Sequence, residues 1–228
     1  MATKTKVDFK KTWKHLYAPS AKAFAVVEVP PLAYLMVDGH GDPNTAVAYT
    51  EAVETLYAVA YKAKFLSKKE LGRDYVVPPL EGLWWAEDMD HYTVKRDKSQ
   101  WYWTMMIMQP DWLTAEHIAT AKEVAAQKKE LPALSKLRFA CYEEGLAAQI
   151  MHIGSYDDET PTLARLHREW LPQNGYVENG KHHEIYLSDP RRVTPEKLKT
   201  ILRQPIRPAT TTDSLGLWLT PQNSSKSH

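Results

Sequence analysis

Glu184 stands alone among apolar and aromatic neighbours in the run HHEIYL at residues 182–187, where a buried carboxylate could do chemistry. In an extended strand, alternation puts Glu184 and Tyr186 on one face and His183, Ile185 and Leu187 on the other. If Ile185 and Leu187 pack beneath helices, Glu184 points away from them. That face is then either wetted, as in many antiparallel sheets, or the floor of a groove that a ligand fills. A carboxylate among indole and phenol rings attracts cations, each cation–π contact adding about 0.5–2 kcal/mol. Desolvation would also raise its pKa, as a general acid requires.

The rings that could surround it are numerous. The chain holds 8 Trp and 12 Tyr but only 4 Phe, a bias toward residues that carry a polar handle and favour binding surfaces. Trp84, Trp85, Trp101, Trp103 and Trp112 cluster in sequence, with Tyr102 interleaved. Along 101–109, large side chains fall on both faces, so alternation alone leaves open which face is core. Tyr57, Tyr61 and Phe65 recur at helical spacing, as ordinary packing or as a wall beside a cavity. Tyr156 begins the acidic turn YDDE, whose Asp157, Asp158 and Glu159 either cap a helix or supply a second pocket carboxylate.

Other chemistries find little support. His182-His183-Glu184 looks like a metal motif, but neighbouring strand residues face opposite ways, and the spacing is not HExxH on a helix. No metal or cofactor is expected. G-x-S-x-G, a P-loop and the dinucleotide-binding glycine fingerprint are missing from the sequence.

The 228 residues carry 29 Lys+Arg against 28 Asp+Glu, without the basic excess usual in nucleic-acid binding. No apolar run approaches the roughly 20 residues of a membrane helix. The single cysteine, Cys141, rules out an internal disulfide, suits a reducing cytoplasm, and reads as a packed small hydrophobe. A soluble cytoplasmic protein is expected, without nucleic-acid or membrane partners and with no protein partner required.

The elements that must position these residues follow from periodicity and punctuation. Residues 1–22 read as a polar lead-in with a helical turn near 9–17, residues 23–205 as one domain, and residues 206–228 as a tail, mobile after residue 210. Strands are expected at 23–37 (interrupted by Pro30-Pro31), 80–86, 101–109, 137–142, 146–153 and 183–187. Helices are expected at 44–66 (capped by Asp42, with Pro43 at its start), 115–129 (capped by Thr114), 159–171 and 195–202. Glu143-Glu144-Gly145 reads as a hairpin turn, and the charged stretch 87–100 as a connection. A strand, a Gly-containing turn, an acidic-capped helix and a later strand occur twice (compare LMVDGHGDP with IMHIGSYDDETP), which suggests duplicated halves at about 23–110 and 136–205 with a groove between them.

At this point the sequence resembles a known family, the stand-alone GyrI-like small-molecule-binding proteins, relatives of the effector-binding domains of multidrug-sensing regulators. The resemblance rests on YAPS at 17–20, MVDGHGDPN at 36–44, PPLEGLWW at 78–85, WYWTMMIMQPDW at 101–112 and HHEIYLSDPRR at 182–192. It implies an α+β fold of two β-α-β-β modules related by pseudo-twofold symmetry, mainly antiparallel, with a ligand groove between the halves. It implies an aromatic or amphipathic, often cationic, small-molecule ligand held by stacking and by the Glu of HHEIYLSDP, Glu184. It also implies, as the alternative, a hydrolase that opens the cyclopropane of DNA-alkylating natural products with paired acids, Glu184 and one of the GSYDDE carboxylates, Glu159 foremost. Trp84, Trp85, Trp101, Trp103, Tyr57, Tyr156 and Tyr186 are the expected lining. No helix-turn-helix segment precedes the domain, so a regulator is not expected; gyrase inhibition, suggested by the family's name, stands last.

Overall fold

The structure is a computed structural model, described here for residues 6–87 and 97–216. Nine strands form one sheet: β1 Ala25–Val29, β2 Leu32–His40, β3 Leu80–Trp85, β4 Tyr102–Gln109, β5 Arg138–Tyr142, β6 Gly145–Ile153, β7 Tyr176–Glu178, β8 His182–Tyr186 and β9 Lys199–Pro208. The order is β1-β6-β9-β8-β3-β4-β2-β5, antiparallel throughout, with β7 also on β9. The sheet does not close into a barrel, and the α+β class is the one expected.

The order reads the same from both ends. The first half supplies β1-β2, a helix, then β3 and β4; the second supplies β5-β6, a helix, then β8 and β9. The halves meet where β3 pairs β8. Each half also lends its first strand to the other, β1 pairing β6 and β5 pairing β2. The expected hairpin at Glu143-Glu144-Gly145 therefore does not form: β5 and β6 have different partners, and the turn carries the chain between halves. Pro30-Pro31 does the same between β1 and β2, because proline cannot donate to a ladder.

The helices that follow β2 and β6 lie on the same face of the sheet as Glu184. After α1 Phe9–Thr12 and α2 Lys14–Tyr17, α3 is Val47–Leu66, starting later than expected; Asp42 accepts the amide of Asn44 instead of capping a helix opened by Pro43. Leu56, Ala60 and Ala63 are buried on α3, and Tyr49 packs edge-on to Trp103 at 5.3 Å. Next, α4 is Ala115–Ala126, with Thr114 and His117 forming a reciprocal cap as at many helix starts. In the second half α5 is Thr160–Arg165, continuing through a wider turn at Leu166–Trp170 into α6 Leu171–Gln173; Leu163 packs with Ile150 and Leu202.

Other expectations are corrected. Residues 199–208 are not a helix but the long strand β9, buried between β6 and β8; helical spacing of Leu198, Ile201 and Leu202 yields to pairing on both sides. The lead-in is packed rather than solvated: Phe9, Leu16 and Tyr17 are buried, and the last two, on α2, cover Ala147, Ile185 and Ile201 on the face opposite α3 and α5. Cys141 is exposed on the edge strand β5. Of the expected tail, residues 206–208 belong to β9 and Thr211–Gly216 form a short helix, α7; residues 217–228, and most of the 87–100 connection, lie outside the described residues. Among the described residues, no helix is long and apolar enough to cross a membrane.

β4 explains the face ambiguity of WYWTMMIM. Trp103, Met105 and Ile107 face the helices, Thr104, Met106 and Met108 face the other way, and all six are buried. Both faces are core.

Candidate functional site

Glu184 occupies the centre of β8 beside the junction of the halves, but on the face opposite to that expected from packing Ile185 under helices. Ile185 lies under α2, while Glu184 lies on the α3 and α5 side. Both faces of β8 are buried, so alternation divides its residues without saying which set meets the helices. The carboxylate is only 8% exposed.

A hydrogen-bonded row runs along this face. Trp84 Nε1 donates to the Tyr186 hydroxyl at 2.9 Å, and that hydroxyl donates to Glu184 Oε2 at 2.7 Å. His182 Nε2 lies 3.6 Å from Glu184 Oε1. Burial, reinforced by His167 and His183, pushes His182 down to about 3, so this imidazole is neutral near pH 7. Burial and then the Glu184 charge hold the Tyr186 hydroxyl well above the ordinary phenol range.

Rings from both halves converge here. From α3 comes Tyr49, 6.2 Å from the Trp84 ring. Trp101 meets Trp84 at 5.8 Å in an edge contact. From the turn before α5 comes Tyr156, edge-on to Tyr186 at 5.7 Å. Burial, then Glu184 and Glu159, raise Tyr156 to about 12, and Tyr57 also acts on it. Tyr49, Tyr57, Tyr156 and Tyr186 are half-buried, so phenols form the accessible surface while Trp84, Trp101, Trp103 and Glu184 lie beneath.

The acidic turn divides sharply. Asp157 is exposed and pairs Lys98 at 3.1 Å; Asp158 accepts the Ser155 hydroxyl at 2.7 Å. Only Glu159 is buried, at 2% exposure, and its charge acts on both Tyr156 and Tyr186. Two carboxylates of the second half, one from the turn before α5 and one from β8, therefore act on one tyrosine cluster that the first half completes with Tyr49 and Tyr57.

Of the candidate residues, Glu184, Glu159, Tyr186, Trp84, Trp101, Trp103, Tyr57 and Tyr156 come together. Trp85 does not: it follows Trp84 in an extended strand and lies on the opposite face, stacked on Tyr102 at 5.7 Å. Trp112 is likewise remote, its Nε1 donating to Ser67 Oγ at 2.9 Å. Tyr61 and Phe65 are about half exposed, at 49% and 55%. Sequence reasoning missed Tyr49 as lining, although it lies two helical turns before Tyr57. It also missed Gly82, which faces Glu184 across the β3–β8 pair.

A second polar cluster lies on the other face, sealed beneath α2. His183 Nε2 lies 2.9 Å from Glu81 Oε2 and its Nδ1 2.9 Å from Glu144 Oε1. Arg203 reaches Glu144 at 3.1 Å and the Leu16 carbonyl at 2.8 Å. Tyr17 and Tyr34 donate to Glu81 at 3.2 and 3.3 Å. Two carboxylates are thus matched by one imidazole and one guanidinium, and all four side chains are buried, which suits a structural role. Among the described residues, no group of three or more His, Cys, Asp or Glu is arranged to hold a metal ion.

Comparison with known proteins bears on this arrangement. A family model described as a GyrI-like small molecule binding domain matches residues 22–207. The crystal structure of an uncharacterized conserved protein from Listeria innocua is 43% identical, covers 89% of this chain and 100% of its own, and superposes with a TM-score of 0.81. A hydrolase encoded by lin2189 from Listeria innocua is 42% identical with the same coverage and a TM-score of 0.79. The C-terminal domain of EcmrR, 12% identical over 82% of this chain and 98% of its own, has a TM-score of 0.51 and shares the fold. No curated protein matches the chain.

Proposed function

The chain belongs to the GyrI-like small-molecule-binding family, and from that premise we propose that it is a hydrolase of hydrophobic aromatic small molecules acting between its two halves. The observation that carries this reading is the pair of buried carboxylates, Glu184 and Glu159, acting on the same tyrosines. The similarity to a hydrolase at 42% identity supports it.

The family resemblance suggests the substrate, an aromatic molecule bearing a cyclopropane conjugated to a carbonyl. Glu184 accepts the Tyr186 hydroxyl, a contact that suits an ionised carboxylate, and it serves as the base. Glu159 serves as the acid. The acid protonates the carbonyl oxygen, and the base takes a proton from water as the water oxygen bonds to the strained ring carbon. The C–C bond breaks, and its electron pair moves toward the carbonyl to leave an enol. The net change is addition of one water. Proton transfer between the carboxyls through solvent resets the pair. Stacking on Tyr49, Tyr57 and Tyr156 orients the substrate and excludes bulk water.

The test is incubation with a cyclopropane-bearing alkylating agent followed by mass analysis. Repeated turnover to a product heavier by one water supports hydrolysis, with Glu184→Gln and Glu159→Gln each inactive. A second reading, capture of aromatic cations without turnover, is favoured by the phenol-rich surface above Glu184. Stoichiometric binding without product would replace the first reading with the second.

A further inference from the structure

The strand that carries Trp84 also carries, on its other face, an open depression of about 450 Å³ bordered by β2, β4, β5 and Lys181, the residue before β8. That volume falls within the roughly 300–1,000 Å³ of small-molecule pockets. We propose that it is a second binding site, taking a flat aromatic molecule that bears an anionic group.

Its wall is a continuous aromatic shelf. Trp85 and Tyr102 stack at 5.7 Å with their planes 17° apart, and His40 extends the shelf, its ring 4.5 Å from Tyr102. These rings sit on neighbouring strands in register, Trp85 opposite Tyr102 and His40 opposite Tyr102. Alternation that turns Trp84 toward Glu184 turns Trp85 here. The two sites are therefore separated by the thickness of the sheet.

The charge is supplied by two cations. Lys181 Nζ lies 3.3 Å from the centroid of the Trp85 ring. Arg138 forms an ion pair with Asp38, whose other oxygen accepts the Thr104 hydroxyl at 2.6 Å. Both oxygens of Asp38 are thus engaged, and among the described residues no carboxylate pairs with Lys181. Glu87 at the rim accepts the Tyr102 hydroxyl at 3.2 Å. Partial burial lowers the Lys181 pKa; the pull of Asp38 opposes it, and Arg138 adds to the lowering to a lesser degree. A cation held beside a second cation and partly desolvated gains most from an incoming anion. A carboxylate, sulfonate or phosphate group reaching Lys181 and Arg138 would lay its aromatic body along the shelf.

The experiment is a fluorescence titration of the full chain with 1-pyrenesulfonate, and with uncharged 1-pyrenemethanol as the comparison. Saturable binding of the sulfonate is expected, weakened about tenfold or more by Lys181→Gln, weakened by added salt, and unchanged in Glu184→Gln. Trp85→Leu should weaken both probes. Circular dichroism establishes that Lys181→Gln, a change at an exposed side chain, folds as the parent does. Three outcomes overturn the proposal: no saturation, equal binding by parent and Lys181→Gln, or loss of binding in Glu184→Gln alone, which would assign the probe to the other face. Because Glu184→Gln and Lys181→Gln act on opposite faces, failure here leaves the proposed hydrolysis untouched.

Discussion

Gly82 lies directly across the β3–β8 pair from Glu184, one residue from each half of the molecule. A methyl group at Gly82 would come within 2.8 Å of Trp84 Nε1 and 3.2 Å of Met105 Sδ. The missing side chain therefore leaves Trp84 free to reach Tyr186, and Tyr186 to hold Glu184.

Gly82→Ala should disturb binding more than stability. The displaced Trp84 loses its bond to Tyr186, worth about 0.5–1.5 kcal/mol, and the row that orients Glu184 is broken. Titration with an aromatic ligand should show weaker affinity, whereas thermal unfolding shifts only modestly. Unchanged affinity would mean that Trp84 has no part in binding.

Glu184→Gln should lower the Tyr186 pKa. Burial keeps that hydroxyl above its ordinary value of 10.0, and the neighbouring carboxylate raises it further, because a phenolate there would face a second negative charge. Removing the charge relieves only that part. Ultraviolet titration of tyrosinate in the variant and in Tyr186→Phe would identify the group that moved. The same substitution should weaken cationic aromatic ligands more than neutral ones of like shape; equal losses would remove the charge argument.

Stability should fall on both sides of a window in mildly acidic solution. Burial alone would depress His183, but Glu144 and Glu81 raise it to about 9. Its contribution is complete below the unfolded value of about 6.5 and is lost as pH rises through about 9. Burial alone would raise Glu144, but His183 and Arg203 hold it at about 2. That contribution is present above the ordinary value of 4.5 and is lost as pH falls toward about 2. Urea unfolding across pH should find the maximum between these limits. Glu144→Gln, which leaves His183 and Arg203 facing Glu81 alone, should cost about 3–5 kcal/mol; a loss below about 1 kcal/mol would show the network to be dispensable.

Gly39→Ala should be severe. The Trp103 ring covers Gly39 so closely that a methyl group would fall 2.0 Å from one ring carbon and 2.2 Å from the next. Both lie in strand, so the ring must move. Overpacking of this kind costs about 1–3 kcal/mol or more, and each kcal/mol lowers Tm by about 2–4 °C at this chain length. Calorimetry measures the change, and a Tm equal to that of the parent would contradict the close packing of Trp103 on β2.

The sequence by itself determined the α+β class, most strands and helices, and the duplication, because hydrophobic periodicity, proline and glycine act locally. It also singled out Glu184, a lone carboxylate in an apolar strand, and most of the rings that meet it. Three things only the tertiary structure decided. Residues 199–208 became a strand because β6 and β8 pair with it on both sides, which outweighs the helical spacing of Leu198, Ile201 and Leu202. The Glu81–His183–Glu144–Arg203 network draws on β3, β8, the β5–β6 turn and β9, and no local pattern marks residues so far apart. The face that Glu184 shares with the helices, and that Trp85 does not, was likewise beyond the sequence. A strand buried on both sides shows two apolar faces, and only the elements that settle on each distinguish one from the other.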